Sequence, residues 1–397
     1  MLLGASATAE AKDGVFGLVR KLGTFIDSMS VSGVDRRYID APEKPWQIIL
    51  RGNVNQTDLK MKSMMDVTGV LPDMSGNMNW EPHLTTEPST YVGLWAGYRG
   101  YGLGYSVNVG GDKGSYLTFG AMGGSFGLNF RLHRFDIEDV TIRFSGDIDG
   151  YYFDNTMPGK LDAPINVRTL FIDGYYLFNG RRCSYAAAYD QSVIQKRSAG
   201  SLIAGAMYYY SNLDFSQPRN ADLIQIMNDI GNIRQWQAGV GVGYLFNFVP
   251  CRGLLISAQV MPILAFYNRI KLTHYQSNVN DYDDQYTDLY KRQASGQISD
   301  EEFERENDAL LNQYRVWEVD ETSNNGKVKV NFDARLSLTY QWDRFFINAY
   351  GQFCNFPYSY DQGSGRVNDW YINAANAFNP AIPATILAIC CKSACYW

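Results

Sequence analysis

The sequence is poor in charge, because Asp, Glu, Lys and Arg make up only 19% of its 397 residues. An average soluble domain has roughly 25%. The 35 basic residues are scattered among 41 acidic ones, which leaves a net charge of −6. A nucleic-acid-binding protein would concentrate its basic residues on one face. We therefore expect no nucleic-acid partner.

Long apolar runs are also missing. The longest uncharged run, Trp370–Cys391, is interrupted by three asparagines and two prolines, and the run Gly253–Asn268 contains Pro262. A membrane-spanning helix needs about 20 consecutive apolar residues. If the chain crosses a bilayer, it must do so as a closed β-barrel.

Histidine and cysteine are scarce, which limits the chemistry that the chain offers. Of the histidines His83, His133 and His274, we expect His133 to be an ordinary side chain inside a barrel, with a catalytic base as the alternative. The six cysteines match no zinc-site spacing. A bridge between Cys183 and Cys251 is conceivable, but free thiols are the preferred interpretation. No catalytic residue, metal or cofactor is predicted.

The two ends of the chain differ from its middle. Residues 1–11 have a short apolar stretch and overlapping small-x-small cleavage options, so they are predicted to be a truncated signal peptide. In the lead-in 12–45, apolar residues between Val15 and Ile26 fall at helical spacing and predict a short amphipathic helix. The tail 377–397 is anomalous, because Asn379–Pro383 would break a strand.

Between these ends the apolar residues follow a period of two. In Lys327–Asp343 the even positions are apolar and the odd positions are polar without one error. Aromatics make up 14% of the chain, yet its mean hydropathy is −0.26. Long strands with one apolar and one polar or glycine-rich face explain both values. Strands of about 9–11 residues with this pattern are typical of transmembrane barrels.

The pattern predicts an all-β protein, an antiparallel transmembrane β-barrel over residues 46–376 with about 12 strands, or alternatively 14. Two of the predicted strands are Val140–Tyr152 and Ser184–Ile194. Residues 273–326 are predicted to form a helical loop insertion, because Ser299 and Glu302 make a capping box. The other long loops are predicted at Asp58–Ser89, Asp154–Asn166 and Asn212–Arg234.

The polar faces of the strands give the candidate lumen residues. They are Asn129, Arg131, His133, Gln235, Gln237, Lys327, Lys329, Asp333 and Arg335. Charges of this kind could tune a pore or close a filled lumen, and for about 12 strands we favour a filled or narrow lumen.

A second polar group lies at the end of a predicted strand. It could bind an anionic headgroup or sugar through charge-assisted hydrogen bonds. A turn whose polar groups cap strand ends is the preferred alternative. Its residues are Gln195, Lys196, Arg197, Ser198 and Ser201.

Tyrosines at the strand ends predict aromatic girdles at the membrane interfaces. Examples are Tyr208–Tyr210 and the pair Tyr175 and Tyr176. In outer-membrane barrels such residues sit at the level of the lipid headgroups.

Several motifs resemble an uncharacterised outer-membrane β-barrel family of Bacteroidota, a domain of unknown function. The resemblance runs from about Val34 to Asn373 and departs from the family pattern after that. It implies the fold and the outer-membrane location but no substrate. The motifs are Val34–Ile39, Tyr176–Asn179, Cys183–Tyr189, Gln195–Ser201, Gly243–Asn247, Trp342–Asn348 and Asp369–Asn373.

The leading functional hypothesis is an outer-membrane barrel without an enzymatic signature, with a structural, small-solute or envelope-interaction role. Its expected partners are outer-membrane lipid and the barrel-assembly machinery. One alternative is a barrel-embedded lipid hydrolase or acyltransferase, which would need a serine beside His133. A second alternative is a secreted, soluble β-sandwich or adhesin.

Overall fold

The computed structural model describes most of the chain between residues 33 and 378. The predicted signal peptide, the predicted N-terminal helix and the tail beyond residue 378 lie outside the described residues. The described ranges are 33–40, 46–66, 76–85, 88–111, 113–227, 229–342, 345–360 and 363–378.

Strands dominate the described residues, and nearly all of them join one antiparallel sheet. In chain order they are β1 Ile39–Asp40, β2 Trp46–Asp66, β3 Gly76–Thr85, β4 Ser89–Tyr98, β5 Tyr101–Gly110, β6 Ser115–Met122, β7 Phe126–Ile148, β8 Tyr151–Leu177, β9 Ile194–Gln195, β10 Ala199–Asp214, β11 Ile230–Cys251, β12 Leu254–Ser277, β13 Val316–Asn325, β14 Lys329–Trp342, β15 Phe345–Tyr360 and β16 Gly363–Phe378.

The large sheet closes on itself. β16 pairs with β2, and β12 pairs with β11 on one side and β14 on the other. Of the 14 strands in this sheet, β3 and β13 only extend it at one end, and the other 12 form a closed ring. The predicted antiparallel barrel of about 12 strands is therefore confirmed.

The period of two places apolar side chains outside and polar or small ones inside. On β14, Leu336 is 60% exposed on the outer surface, whereas the neighbouring Ser337 is 1% exposed inside the barrel. The same alternation corrects part of the girdle prediction. Tyr176 faces outward, but Tyr175 and Tyr209 are buried inside, because consecutive residues of a strand point to opposite faces.

The strand list from the sequence contains two errors. Val140–Tyr152 is not a separate strand, because β7 continues from Phe126 to Ile148 and β8 begins at Tyr151. Ser184–Ile194 is not one strand, because the Ser184 side chain accepts a hydrogen bond from the Ala187 amide and caps the short helix Tyr185–Tyr189, which is followed by a turn. Two of the predicted long loops, Asp58–Ser89 and Asp154–Asn166, are largely strand.

The two ends of the barrel differ in their connections. At one end, which we call the turn end, strands are joined by short turns such as Arg99–Gly100, whose φ angles of 49° and 87° suit a two-residue hairpin. At the other end, the loop end, longer segments join β10 to β11 and β12 to β14. The connection from β8 to β10 is the long one at the turn end.

Four α-helices lie in these connections: α1 Tyr185–Tyr189, α2 Ala221–Ile226, α3 Asp283–Ala294 and α4 Asp300–Leu311. The predicted helical insertion between β12 and β14 is confirmed, and the capping box of Ser299 and Glu302 begins α4. Within the described ranges, no helix is both long and apolar enough to span a membrane.

Candidate functional site

The connection between β8 and β10 folds back into the barrel. We call residues 178–198 the plug. Its helix α1 is buried among the barrel strands, with Tyr185 and Ala188 at 0% exposure. The wall holds both ends of this helix, since Ser337 Oγ donates to the Ala188 carbonyl oxygen at 2.6 Å and Asn247 Nδ2 donates to the Ser184 carbonyl oxygen at 2.7 Å. The plug therefore fills the lumen at the turn end.

A second segment holds the plug from outside. β1 pairs with β9 of the plug, and the Asp35 amide donates to the Arg181 carbonyl oxygen at 2.7 Å. Ile39 of β1 is 1% exposed and belongs to the main hydrophobic cluster. Residues 35–40, which precede the barrel strands, therefore hold the plug in place, and we call them the brace.

Asp35 in this brace leads to a testable pH dependence. Hydrogen bonds from Arg37 lower the pKa of Asp35 to about 2, from its ordinary value of 3.8. Because the pKa is depressed, the stabilising effect of the pair is present above pH 4 and is lost as the pH falls toward 2. We expect an NMR titration of the Asp35 carboxyl carbon to give a midpoint near 2. In the control Arg37→Gln the midpoint should rise toward 3.8, and an unchanged midpoint would contradict the assignment.

The centre of the lumen holds a buried charge cluster around Arg335. Its Nε lies 3.0 and 2.9 Å from the two carboxylate oxygens of Asp333, and its Nη2 lies 2.9 Å from Oδ2 of Asp173. Nη1 donates to the hydroxyl of Tyr185 in the plug. The three charged side chains are at most 5% exposed. Arg335 thus joins two walls of the barrel to the plug.

Amide side chains complete the hydrogen bonding of the two carboxylates. Asn129 Nδ2 donates to Asp173 at 3.0 Å, while Gln259 and Gln352 donate to Asp333 at 3.1 and 3.0 Å. Buried carboxylates are stable only when they are paired and hydrogen-bonded in this way. The cluster is a closed network that fixes neighbouring strands and the plug in one arrangement.

Aromatic and aliphatic packing fills the lumen nearer the loop end. Phe356 of β15 stacks on Tyr209 with ring centroids 3.8 Å apart and meets Phe171 edge-on at 5.8 Å. Gln237 Nε2 donates across the lumen to the Pro357 carbonyl oxygen at 2.6 Å. Buried aliphatic residues of the main hydrophobic cluster nearer this end include Met207, Leu213, Ile233, Ile270 and Leu272. The barrel interior is therefore blocked at a second level.

The predicted lumen residues divide into two groups. Asn129, Asp333 and Arg335 meet in the charge cluster, and Arg131 lies over the ring of Phe171 at 5.3 Å. Gln235 and Gln237 are buried in the same interior. Lys327 is exposed ahead of β14, and Lys329 is half-buried at its first residue. These two lysines do not join Asp333 and Arg335. They lie at the loop-end start of β14, whereas Asp333 and Arg335 lie further along the strand, inside the lumen.

The predicted anion-contact block belongs to the plug and its exit into β10. Gln195 is buried and bonds to Ser184, Arg182 and Arg197. Ser198 and Ser201 accept hydrogen bonds from backbone amides at 2.9 Å. Lys196 forms an ion pair with Asp40 at 3.3 Å, and Arg197 lies over the ring of Tyr38. In the described structure these groups hold the plug and its brace together.

His133 lies in an aromatic cluster on the inner wall. Its ring stacks on Tyr116 at 3.8 Å, and its Nε2 lies 3.0 Å from the Tyr91 hydroxyl. A Gly-x-Ser-x-Gly spacing occurs at Gly123–Gly127, but it forms the turn between β6 and β7 instead of a strand-to-helix turn. Across the described ranges, the hydrogen bond recorded for His133 goes to a tyrosine and none goes to a serine.

Sequence reasoning missed Asp173 and Tyr185, which complete the charge cluster. Asp173 stands out as the one charged residue in the otherwise apolar stretch Leu170–Leu177 of β8, and this was the available signal. Tyr185 gave none, because its segment alternates like a strand. Of the cysteines, Cys183, Cys251 and Cys354 are free thiols, and the other three lie outside the described residues.

Next to the charge cluster, the plug leaves space against the wall. We call this space the recess. It has a volume of about 90 Å³ and lies between the plug and the wall strands. Its polar and aromatic lining includes Arg51, Trp95, Arg131, Tyr185, Tyr189 and Asp190.

A closed barrel with an apolar outer face and a polar centre defines an integral outer-membrane β-barrel protein. The sandwich alternative is wrong, because the ring closes. The chain belongs to the family described as "Domain of unknown function (DUF4421)", which matches residues 34–374. No curated protein matches the chain.

Solved structures that resemble the chain include an autotransporter domain, a protease and a channel. The translocator domain of the autotransporter NalP from Neisseria meningitidis has a TM-score of 0.29 and 9% identity, covering 91% of this chain and 97% of that one. The outer membrane protease OmpT from Escherichia coli has a TM-score of 0.33 and 7% identity, covering 84% of this chain and 96% of that one. The COG4313 outer membrane channel from Pseudomonas putida F1 has a TM-score of 0.26 and 9% identity, covering 85% of this chain and 97% of that one. At these scores the likeness carries no conclusion about activity.

Proposed function

We propose that this protein is a closed, non-conducting outer-membrane barrel that serves the cell envelope by structure and binding and not as an open pore. The observation that carries the proposal is the contact of Arg335 with Asp173, Asp333 and the plug residue Tyr185. A buried network that includes the plug ties it to the wall. The packing of Phe356 on Tyr209 supports a second block.

The outer surface supports the placement in the membrane. At the turn end, Trp46 packs on Tyr98 with centroids 5.0 Å apart, and Tyr340 packs on Trp342 at 5.5 Å. We propose that these pairs form an interface girdle. Short turns usually face the periplasm, so the plug would enter from that side. Outer-membrane lipid and the barrel-assembly machinery are the partners we propose. The signal peptide and the origin in Bacteroidota stay predictions.

We propose no catalytic role for the barrel. His133 supports this, because its Nε2 faces the Tyr91 hydroxyl and its ring is covered by Tyr116 and Phe135. A hydrolase would need a nucleophile held by the base and open to substrate.

The proposal predicts the electrical behaviour of the purified barrel. We expect the wild-type protein to give no discrete conductance steps in a planar lipid bilayer. A variant with residues 184–194 replaced by a Gly-Ser linker of equal length and with Phe356→Ala should give steps, because both blocks are then removed.

The matched control replaces residues 290–300, which cover the end of α3, its connection to α4 and the first residue of α4, with the same linker and should stay silent. Heat-modifiable migration on gels checks that each barrel has folded. Regular conductance steps from folded wild-type protein would show that the lumen is open and would overturn the proposal.

A further inference from the structure

The recess contains polar atoms that the protein leaves without partners. Within the described part of the chain, Trp95 Nε1, Tyr189 Oη and Asp190 Oδ2 are buried and have no hydrogen-bond partner. Trp95 is 3% exposed and Asp190 is 2% exposed. All three residues line the recess. Buried polar groups in native proteins are nearly always paired, so these atoms indicate a binding function.

The geometry around Trp95 is rigid. Its ring lies against a floor of glycines on β5 and β6, where an added Cβ on Gly102, Gly104 or Gly120 would come within 2.5 to 2.9 Å of the ring. On the ring itself lies the Arg51 guanidinium, 4.1 Å from the centroid. A side chain held in this way presents its N–H in a fixed position, which is the arrangement of a preorganised binding site.

Among the charged side chains that line the recess, Asp173 and Arg335 of the wall are paired with each other, and the remaining ones lie on opposite sides. Arg51 and Arg131 come from the wall strands β2 and β7, and both also make other contacts. Asp190 and Tyr189 come from the plug. The wall side therefore offers N–H donors with positive charge, and the plug side offers a carboxylate oxygen and a hydroxyl.

We infer that the recess binds a small zwitterionic solute. Its carboxylate would lie toward Trp95 and Arg51, and its ammonium group would lie toward Asp190 and Tyr189. A simple anion would leave the Asp190 oxygen unsatisfied, and a simple cation would leave the Trp95 N–H unsatisfied. A neutral polyol would satisfy hydrogen bonds but would not match the two separated charges. This inference rests on the proposed function, because the recess exists only when the plug lies in the lumen.

Calorimetry on the folded full-length barrel in detergent tests this inference. The probes are glycine and alanine as zwitterions, acetate and methylammonium as single charges, and glycerol as a neutral polyol. We expect saturable binding of a zwitterion, at least tenfold tighter than either single-charge probe. Asp190→Asn and Trp95→Phe should each weaken this binding at least tenfold.

Two variants outside the recess serve as controls. Asp147→Asn, at the loop-end hairpin, and Trp317→Phe, on β13, make the same chemical changes and should leave the affinity unchanged. Heat-modifiable migration confirms folding, and Asp190→Asn keeps the shape of the residue it replaces. Equal binding of acetate or methylammonium would overturn the zwitterion assignment. If no probe binds, or if the recess variants bind like wild type, the site itself is refuted.

Bilayer conductance of the same preparations separates this inference from the proposed function. A silent barrel that binds no probe overturns the binding site alone. If the barrel conducts and its zwitterion binding still depends on Asp190, only the proposal of a closed barrel is overturned.

Discussion

Replacing Arg335 with methionine is expected to lower the free energy of unfolding by about 3–5 kcal/mol. The substitution keeps much of the side-chain volume but leaves Asp173 and Asp333 as buried carboxylates without their cation. Removing one partner of a buried ion pair costs more than the pair contributes, because the remaining charge stays desolvated. Urea unfolding of the barrel in detergent, followed by gel migration and tryptophan fluorescence, measures the change.

Two further variants separate charge from packing. In the triple variant Arg335→Met, Asp173→Asn, Asp333→Asn no unpaired charge remains, so a large part of the lost stability should return. Arg305→Met, on the exposed face of helix α4, is the matched control and should change stability by less than about 0.5 kcal/mol. If the single and triple variants are equally unstable, the cluster contributes by shape and not by charge.

An arginine introduced one residue further along β14 should lower the stability by a comparable amount, because there the charge would face outward instead of inward. Leu336 is 60% exposed on the outer face near the middle of β14. We expect Leu336→Arg to cost about 2–4 kcal/mol, because the guanidinium would face the lipid at the bilayer midplane. Reversible unfolding in lipid vesicles gives this value, and heat-modifiable migration reports the folded fraction.

Position along the barrel supplies the control. Val319 on β13 is 53% exposed, on a strand that extends the sheet at the loop end, beyond the lipid-facing band. Val319→Arg should leave assembly unchanged. If Leu336→Arg costs as little stability as Val319→Arg, then Leu336 faces water and the membrane orientation of β14 is wrong.

The two arginine positions show how far the sequence predicts the fold. Arg335 and Leu336 are neighbours, and the alternation from Lys327 to Asp343 already assigns them to opposite faces. The same reasoning predicts the large strand content and the barrel. It also predicts the helical insertion, because Ser299 and Glu302 cap α4 locally. These features depend on contacts between residues close in sequence or on a simple period.

The plug shows where this reasoning fails. Residues 184–194 alternate weakly in polarity, so their pattern is compatible with a strand. They form a helix and a turn because the barrel offers partners to their backbone, such as Ser337 to Ala188 and Asn247 to Ser184. Those partners are 149 and 63 residues away along the chain. Tertiary contacts outweigh local preference when a segment is this short.

The candidate site was predictable only in part. Asn129, Asp333 and Arg335 follow from the inward parity of their strands. Their meeting with Asp173 depends on which strands face each other across the lumen, and no local pattern encodes that.

By itself, then, the sequence determines that the chain forms long two-faced strands, since their apolar and polar residues alternate and no run is apolar enough for a spanning helix. The tertiary structure alone decides what occupies the lumen. The wall encloses a narrow space, and the β8–β10 connection fills it because Arg335, Ser337 and Asn247 converge there. Buried charges and buried backbone groups both need partners, and only the closed ring brings these partners together.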